Sequence, residues 1–334
     1  MTAPIPAAAP VPVLAVEGLS VSFRQGASAV DAVRDVSIAV QPGECVAVVG
    51  ESGSGKTQLC MAVMGLLESN AVARGSVRFE GQELLGAPSV VLNEVRGSRM
   101  AMIFQDPMSS LTPHLKVGVQ LAEVLVCHRG MSWRDAEIAS VNRLDSVRIP
   151  DAPRRMNQYP HELSGGLRQR VVIAMSLQCN PSLVIADEPT TALDVTVQAQ
   201  ILELLRDTRR DHGMALVLIT HDFSIVAGLA ERIVVMYAGR VVEVARADEL
   251  FSAALHPYTI ELLKCVPDLL APRLDRLPTL PGQPPNPAER IEGCSFAARC
   301  TRASERCRLE RPLLAQLSGG GAGRLVACHH PCTP

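Results

Sequence analysis

One stretch, residues 50–57 (GESGSGKT), constrains the fold of this 334-residue chain more than any other. It follows the continuous apolar run Cys45–Val49 and leads into a second apolar segment that ends near Leu67. This order predicts a buried strand, a tight loop and a helix. The spacing G-x-x-x-x-G-K-T is that of a phosphate-binding loop, whose backbone N–H groups point inward and whose helix presents the positive end of its dipole. The stretch therefore predicts a nucleotide site.

Each position of this loop has an expected role. Lys56 is expected to reach the β- and γ-phosphates of ATP, and the Thr57 hydroxyl is expected to coordinate Mg²⁺. The other positions expected to contact the nucleotide are Gly50, Ser52, Gly53, Ser54 and Gly55. The alternative is a surface turn rich in Gly and Ser, but the chain has only three lysines and one of them occupies the required position.

Two further apolar runs end in polar residues that suit the same site. Residues 183–186 lead into Asp187 and Glu188, and Ala215–Thr220 leads into His221. Continuous apolar strands that alternate with helices predict an α/β fold with a mainly parallel sheet, which binds its ligand at the carboxyl ends of the strands. We expect Asp187 to hold Mg²⁺ through water and Glu188 to polarise the attacking water. The alternative for this pair is an acidic helix cap.

Composition excludes several classes of protein. The net charge of −2 gives no electrostatic footprint for nucleic acid, so no nucleic-acid partner is expected. Apolar runs such as residues 214–219 are far shorter than the ~20 residues of a membrane-spanning helix. Residues 1–13 are rich in Ala and Pro without Lys or Arg, which predicts a disordered tail and no secretory signal. The chain is therefore expected in the cytoplasm, where thiols stay reduced.

Cysteines cluster near the end of the sequence. Five of the ten follow residue 293, and the four expected to bind a metal centre are Cys294, Cys300, Cys307 and Cys328. Their spacing is wider than that of zinc-binding pairs and suits a [4Fe–4S] cluster, with Zn²⁺ or unligated thiols as the alternatives. His329 and Cys332 are spare candidates for the fourth ligand. Four arginines are expected to offset the charge of an anionic cluster, or else to form a solvated basic face: Arg299, Arg302, Arg306 and Arg308.

A stretch before the second apolar run identifies the family that this sequence resembles. Residues 163–170 read LSGGLRQR and lie upstream of Asp187. They resemble the signature of the ATP-binding cassette (ABC) ATPases, and the resemblance covers about residues 14–250. It implies a P-loop ABC ATPase with a RecA-like core sheet, an antiparallel β part and an inserted helical subdomain at about 106–182. Residues 251–334 would form a small cysteine-rich C-terminal extension.

The resemblance implies that two cassettes dimerise head to tail. Ser164, Gly165 and Gly166 would then contact the ATP bound by the partner, and Asp194 matches the aspartate exchanged across the dimer. The fifth signature residue is Leu167, where the family usually has Gln, so that position has no side-chain hydrogen bond to offer the partner's nucleotide.

Three further residues carry roles implied by the family. Gln105 matches the glutamine that reaches Mg²⁺ and the attacking water and senses the membrane subunits. His221 matches the histidine that holds the γ-phosphate beside Glu188; the alternative is an ordinary loop histidine. Phe23 lies where the family has an aromatic residue that stacks on adenine; the alternative is a core strand residue.

Several stretches resemble one branch, the ATP-binding subunits of bacterial oligopeptide and dipeptide importers. They are residues 104–113 (FQDPMSSLTP), 236–243 (MYAGRVVE), 256–259 (HPYT) and 280–285 (LPGQPP). Members of this branch carry the four-cysteine pattern, and some bind a [4Fe–4S] cluster. The branch implies an ATPase subunit on the cytoplasmic face of the membrane.

The expected partners are two multi-span permease subunits, a second and paralogous ABC ATPase subunit, and an extracytoplasmic peptide-binding protein. Alternatives are the same machine with nickel, glutathione or an oligosaccharide as cargo, and a soluble ABC ATPase that acts on ribosomes or DNA. A protein that binds ATP without hydrolysing it is a further alternative.

Overall fold

The computed structural model describes residues 11–26, 28–191, 193–266, 279–286, 288–289, 291–316 and 323–332. Of the tail predicted at residues 1–13, the first ten residues lie outside these ranges. The strands are β1 (Leu14–Gln25), β2 (Ser28–Val40), β3 (Cys45–Val49), β4 (Ala71–Phe79), β5 (Gln82–Glu83), β6 (Met100–Ile103), β7 (Leu183–Asp187), β8 (Ala215–Thr220), β9 (Arg232–Tyr237), β10 (Arg240–Arg246), β11 (Ala315–Gln316) and β12 (Leu325–Val326).

The helices alternate with these strands. They are α1 (Lys56–Met64), α2 (Ser89–Val95), α3 (Pro107–Ser110), α4 (Val117–Arg129), α5 (Trp133–Ser146), α6 (Ala152–Arg155), α7 (Gly165–Leu177), α8 (Val195–His212), α9 (Phe223–Val226), α10 (Ala247–Ala253), α11 (Pro257–Lys264) and α12 (Glu305–Leu309). Single 3₁₀ turns form at Pro160–Glu162 and Ala297–Arg299.

The larger sheet has the order β11-β12-β10-β9-β3-β8-β7-β6. Strands β9, β3, β8, β7 and β6 are mutually parallel, and β10 returns antiparallel to β9. Every residue of β3, β7 and β8 is buried, as expected of strands that are apolar on both faces. Alternate residues of β3 enter two different cores: Cys45 and Ala47 pack among the helices, and Val46 packs on the other face. The predicted mainly parallel sheet is confirmed.

The smaller sheet is antiparallel, with the order β2-β1-β4-β5, and covers one face of the larger sheet. Its side chains share a core with Leu59 and Val63 of α1, so the helix that follows the phosphate loop lies between the two sheets. Apolar residues predict two short strands, Leu14–Val16 and Val21–Phe23. In the structure both belong to β1, because shifts of register let one strand continue through the turn-like residues between them.

Five helices, α3–α7, lie between β6 and β7 on the opposite side of the sheet. The pattern of apolar residues predicts helices at Val117–Arg129, Trp133–Val147 and Gly165–Gln178. Helix α4 has the predicted bounds, and α5 and α7 each end one residue earlier than predicted. Ser132 and Ser164 cap α5 and α7 by accepting hydrogen bonds from backbone N–H groups three residues on.

The C-terminal part returns to the larger sheet. Strand β12 pairs antiparallel with β10 through Glu243–Val326 and Val244–Leu325, and β11 pairs with β12. Among the described residues, no helix combines the length and the apolar character needed to cross a bilayer.

Candidate functional site

A cleft lies where β3 ends, and residues 51–58 line it. Gln105 and Glu188 reach it from the ends of β6 and β7. Other segments complete its walls: Asp31, Ala32 and Arg34 of β2, Tyr237 to Gly239 between β9 and β10, and Pro284, Pro285, Asn286, Glu289 and Ile291. The parallel strands therefore deliver the predicted loop and carboxylate to one place, as expected of an open α/β sheet.

Steric crowding explains two of the loop's glycines. A Cβ on Gly50 would lie 2.2 Å from the Met236 carbonyl oxygen, and one on Gly55 would lie 2.3 Å from the Ala32 carbonyl oxygen. Gly55 also has φ of 97°, in the region that side chains avoid. The loop is thus held against β2 and the end of β9 by contacts that only glycine allows.

Lys56 lies buried across the loop. Its Nζ donates hydrogen bonds to the carbonyl oxygens of Gly50 (2.7 Å) and Glu51 (2.9 Å) and to the Ser54 hydroxyl (3.4 Å). Burial lowers the pKa of Lys56, while the carboxylates of Glu188 and Asp187 oppose this shift. The ammonium group is therefore placed inside the cradle in which a phosphate would bind.

Asp187 and Thr57 form the part of the cleft that suits a divalent cation. Burial raises the pKa of Asp187, and a hydrogen bond from the Thr57 side chain counteracts this. Asp187 is 3% exposed, and its Oδ1 has no hydrogen-bond partner among the described residues. A buried carboxylate oxygen beside a hydroxyl is the type of ligand that Mg²⁺ binds, so these residues fit the ion expected there.

Glu188 is held by three side chains. Its Oε2 accepts hydrogen bonds from Gln105 Nε2 and Thr191 Oγ1, both at 2.9 Å, and its Oε1 lies 2.9 Å from Nδ1 of His221. Burial raises the pKa of Glu188, but the bonds from His221 and Thr191 and the charge of Lys56 outweigh it, so the pKa falls below its usual value. The carboxylate is thus ionised and fixed in direction at neutral pH.

The predicted signature residues lie on a different surface. Ser164 and Asp194 are the N-caps of α7 and α8, and a Cβ on Gly166 would lie 2.7 Å from Val197 of α8, so the two helix starts are in contact. Ser164, Gly165, Gly166, Asp194 and Val195 form what we call the signature patch. None of them lines the cleft, and Val195 within the patch is 83% exposed.

Phe23 is not among the residues that line the cleft. It lies in β1 opposite Val30 of β2 and Ala71 of β4, half-buried against the core between the two sheets. Stacking of this ring on adenine stays a prediction.

The four predicted cysteines converge. Cys294, Cys300, Cys307 and Cys328 line one cavity of about 10 Å³, together with Phe296 and His256. Burial raises the pKa of Cys294 and Cys300 and raises that of Cys328 to about 11, and the neighbouring thiols add to each shift. Within the described part of the chain, no three His, Cys, Asp or Glu side chains form a group that could hold a metal ion. The thiols are therefore neighbours without the geometry of a single-ion site.

The arginines near these cysteines have different partners. Arg299 is directed away from the thiols and forms an ion pair with Glu51 of the phosphate loop. Arg306 pairs with Glu310, and Arg302 donates to the Cys332 thiol. A solvated face is therefore wrong for Arg299, because its side chain is 4% exposed and forms an ion pair with Glu51. Compensation of a cluster's charge by these arginines stays a prediction.

The sequence did not reveal three residues of the site. They are Thr191, Tyr258 and Arg299: Thr191 belongs to no motif described above, Tyr258 lies within the family stretch 256–259, and Arg299 is expected beside the cysteines. Tyr258 is fully buried, and its hydroxyl accepts a hydrogen bond from the Glu51 backbone N–H at 2.9 Å. Local patterns carry no signal for the contact of Tyr258 or Arg299 with Glu51, because more than 200 residues separate the partners.

Comparison with protein families gives two matches. The ABC transporter family matches residues 33–191, and the C-terminal region of oligopeptide/dipeptide transporters matches residues 242–307.

Comparison with individual proteins agrees. The oligopeptide transport ATP-binding protein OppD of Salmonella typhimurium is 49% identical over 318 residues, covering 95% of this chain and 93% of that protein. The protein of the same name in Escherichia coli is 48% identical over the same shares of each chain. Among solved structures, the dimeric bacterial ABC transporter cassette MJ0796 is similar with a TM-score of 0.63 and 27% identity, over 70% of this chain and 98% of that one.

Proposed function

Because the chain belongs to the family of ABC-type oligopeptide transport ATP-binding proteins, and so is the ATP-hydrolysing subunit of an oligopeptide or dipeptide importer, we propose how its residues divide the work of that subunit. The predicted P-loop ABC ATPase fold is confirmed by the family match and by the likeness to a solved cassette. The observation that carries the proposal is the position of Glu188: it lies beside the phosphate-binding loop and is hydrogen-bonded to the side chains of three residues, Gln105, Thr191 and His221.

The residues of the cleft would act in sequence on ATP. Backbone N–H groups of residues 50–55 and the Lys56 ammonium hold the phosphates and offset their charge. Glu188 accepts a hydrogen bond from the attacking water and takes its proton as the new P–O bond forms and ADP departs. Gln105 and Thr191 orient this carboxylate through hydrogen bonds to Oε2. His221 hydrogen-bonds to Oε1 and would also contact the γ-phosphate.

Mg²⁺ fits beside this cradle. Thr57 and Asp187 would hold it, with Gln105 nearby, and the bound ion would supply positive charge to the β- and γ-phosphate oxygens. The support is the orphaned Oδ1 of buried Asp187, which lacks a hydrogen-bond partner among the described residues.

The signature patch implies a second cassette. Its residues do not line this chain's own cleft, so we propose that they complete the ATP site of a second ABC ATPase subunit, a paralogue of this chain. A groove lined by Leu66, Phe104 and Met175 adjoins Gln105 and would receive a permease subunit. We propose two such permeases, an extracytoplasmic peptide-binding protein, and a place for this chain on the cytoplasmic face of the membrane.

The proposed domains are a nucleotide-binding domain at residues 14–250, with its helical part at about 106–182, and a C-terminal extension at 251–334. The insertion of α3–α7 between β6 and β7 supports the helical part. The four cysteines of the extension are proposed to hold a [4Fe–4S] cluster, with Zn²⁺ as the alternative. The support is their convergence on one cavity, which must widen to admit a cubane.

Metal analysis of an anaerobic preparation distinguishes these metal centres. A cluster gives a brown protein with iron and sulfide in equal amounts and visible absorbance that dithionite bleaches. A colourless protein that contains one zinc, or no metal, would contradict the cluster.

The catalytic role is tested by Glu188→Gln in the assembled importer. The amide keeps the size of the side chain but cannot take a proton, so hydrolysis is expected to fall by about 10²–10⁴-fold while ATP binding persists. Glu203→Gln is the matched control, since Glu203 of α8 is exposed, pairs with Arg148 and does not line the cleft. A phosphate-release rate in Glu188→Gln within about threefold of the control would remove Glu188 from the mechanism.

A further inference from the structure

Two segments from the C-terminal part of the chain hold one residue of the phosphate loop. The Glu51 backbone N–H donates a hydrogen bond to the Tyr258 hydroxyl. The Glu51 carboxylate accepts hydrogen bonds from both terminal nitrogens of Arg299, at 2.7 and 3.1 Å. The Glu51 carbonyl oxygen meanwhile accepts from Lys56. Glu51 is therefore bound through its N–H and its carboxylate to the C-terminal extension, and through its carbonyl oxygen to the phosphate-binding Lys56.

The ion pair between Arg299 and Glu51 is shielded from solvent. The Arg299 side chain is 4% exposed and that of Glu51 is 26% exposed. Arg299 also donates through Nε to the Pro281 carbonyl oxygen at 2.8 Å, and its guanidinium lies over the Tyr237 ring, 5.9 Å from the centroid. A bidentate pair in such surroundings is directional and persists where a surface pair would not.

Arg299 is also rigidly connected to the cysteines. It ends the 3₁₀ turn Ala297–Arg299 and directly precedes Cys300. The Ala297 N–H donates to the Cys294 carbonyl oxygen, and the Cys300 N–H donates to that of Ala297, so the backbone between the two cysteines is one hydrogen-bonded unit. A shift of the backbone between Cys294 and Cys300 therefore acts directly on Arg299, which is part of it.

Aromatic packing reinforces the same path. Phe296 lies between the two cysteines, and its ring centroid is 5.3 Å from those of both Tyr237 and Tyr258. The Tyr258 hydroxyl accepts a hydrogen bond from the Glu51 N–H. The Tyr237 hydroxyl accepts one from Arg299, which in turn pairs with Glu51. The path from cysteine to phosphate loop thus consists of contacting, mostly buried side chains, which is the condition for energetic coupling.

We infer that Arg299 is a positioning residue for the phosphate loop, through which the cysteine-lined cavity and the nucleotide site influence each other. It touches no nucleotide; it sets where the Glu51 carbonyl, and hence Lys56, lies. The inference rests on nucleotide binding at residues 50–57 and does not depend on what the thiols hold. Since coupling free energies are reciprocal, nucleotide binding must in turn affect the segment between Cys294 and Cys300, and we expect it to order that segment.

The test uses the full-length chain with two measurements, the Kd for MgADP by calorimetry and the rate of deuterium labelling of the backbone amides of residues 294–300, read by mass spectrometry; the second does not require free thiols. In the wild type, MgADP is expected to slow deuterium labelling of these amides, among them those of Ala297 and Cys300, which donate hydrogen bonds within the segment. Arg299→Gln is expected to weaken MgADP binding by about tenfold, within the range of typical couplings, and to abolish the protection by nucleotide.

Arg306→Gln is the matched control, because Arg306 belongs to the same cysteine-rich segment but pairs with exposed Glu310 and not with Glu51. It is expected to keep both the affinity and the protection. The loss of protection separates coupling from a merely structural role, which would change the labelling rate equally with and without nucleotide. Should Arg299→Gln fail to fold, Glu51→Gln breaks the same ion pair from the other end and carries the same expectation.

Wild-type affinity in Arg299→Gln, or undiminished protection of residues 294–300 in that variant or in Glu51→Gln, would overturn the inference. Either result would leave the proposed role of Glu188 untouched, because hydrolysis by the assembled importer tests that role separately.

Discussion

At the scale of single residues, the site places a carboxylate where the backbone is strained. Glu188 has φ of 46°, a left-handed conformation that non-glycine residues adopt at a cost of about 1–3 kcal/mol. The hydrogen bonds from Gln105, Thr191 and His221 hold it there, together with its own N–H, which donates to the Ile219 carbonyl oxygen. The strain directs the side chain into the cleft instead of along β7.

His256 gives a prediction at this scale. Its ring is 1% exposed; Nδ1 accepts from the Tyr258 N–H, and burial lowers its pKa to about 4 despite a hydrogen bond with the Ala327 backbone. Since this pKa is below the ordinary histidine value of 6.5, the unfolded state binds a proton between these two pH values that the folded state does not. Stability is therefore lost as pH falls below 6.5, by about 2 kcal/mol from this group at pH 5.

His256→Asn keeps an acceptor for the Tyr258 N–H but cannot titrate. Urea denaturation at pH 7 and pH 5 is expected to show a loss of stability between the two pH values that is smaller in His256→Asn than in the wild type by about 2 kcal/mol. Equal losses in the two proteins would mean that His256 titrates normally in the folded state.

At the scale of elements, the sequence predicted those whose pattern is local and uninterrupted. β3 and β8 follow unbroken apolar runs, and α4 ends at Gly130, which is in the left-handed conformation typical of a helix C-cap. β4 was not predicted, because Arg74 and Gly75 interrupt its apolar residues. It forms a strand because it pairs with β1, a contact that its own sequence does not indicate.

Two equivalent helix caps separate stability from function. Ser132→Ala and Ser164→Ala each remove an N-cap hydrogen bond, from α5 and α7 respectively, and each is expected to cost about 1 kcal/mol of stability. Only Ser164→Ala is expected to lower ATP hydrolysis in the assembled importer, because only Ser164 belongs to the signature patch. Thermal melts and phosphate-release rates measure both effects; equal hydrolysis by the two variants would remove Ser164 from the partner's site.

At the scale of the whole molecule, the cleft and the signature patch are separate surfaces of one rigid sheet-and-helix framework. The cleft forms at the ends of the parallel strands, whereas the patch is built from the starts of α7 and α8. The sequence indicated both sets of residues. It could not predict the ion pair between Arg299 and Glu51, because 248 residues separate them and only the folded chain brings them together.

This separation predicts a specific effect of Val195, which is 83% exposed within the signature patch. Val195→Asp is expected to weaken ATP-dependent association with the second cassette by about tenfold, since the substitution adds a charge at the rim of a surface that must lose water. Val90→Asp is the matched control, because Val90 is 71% exposed on α2, outside the patch.

Association is measured by pull-down of the second cassette with MgATP in the Glu188→Gln background, which slows hydrolysis. If Val195→Asp and Val90→Asp retain the partner equally, the signature patch is not the surface on which the two cassettes meet.

The pairing of β12 with β10 has a consequence for how this chain acquires its structure. Val244 pairs with Leu325, and the segment between them contains α10, α11 and the loop that carries Arg299. Contacts between residues so distant in sequence require a large loop to close, so they form late in folding. Until they form, β10 presents an unpaired edge that can recruit strands from other molecules. The sheet is therefore most vulnerable to aggregation in a late folding intermediate. In that intermediate the phosphate loop has formed, but Tyr258 and Arg299 do not yet contact Glu51.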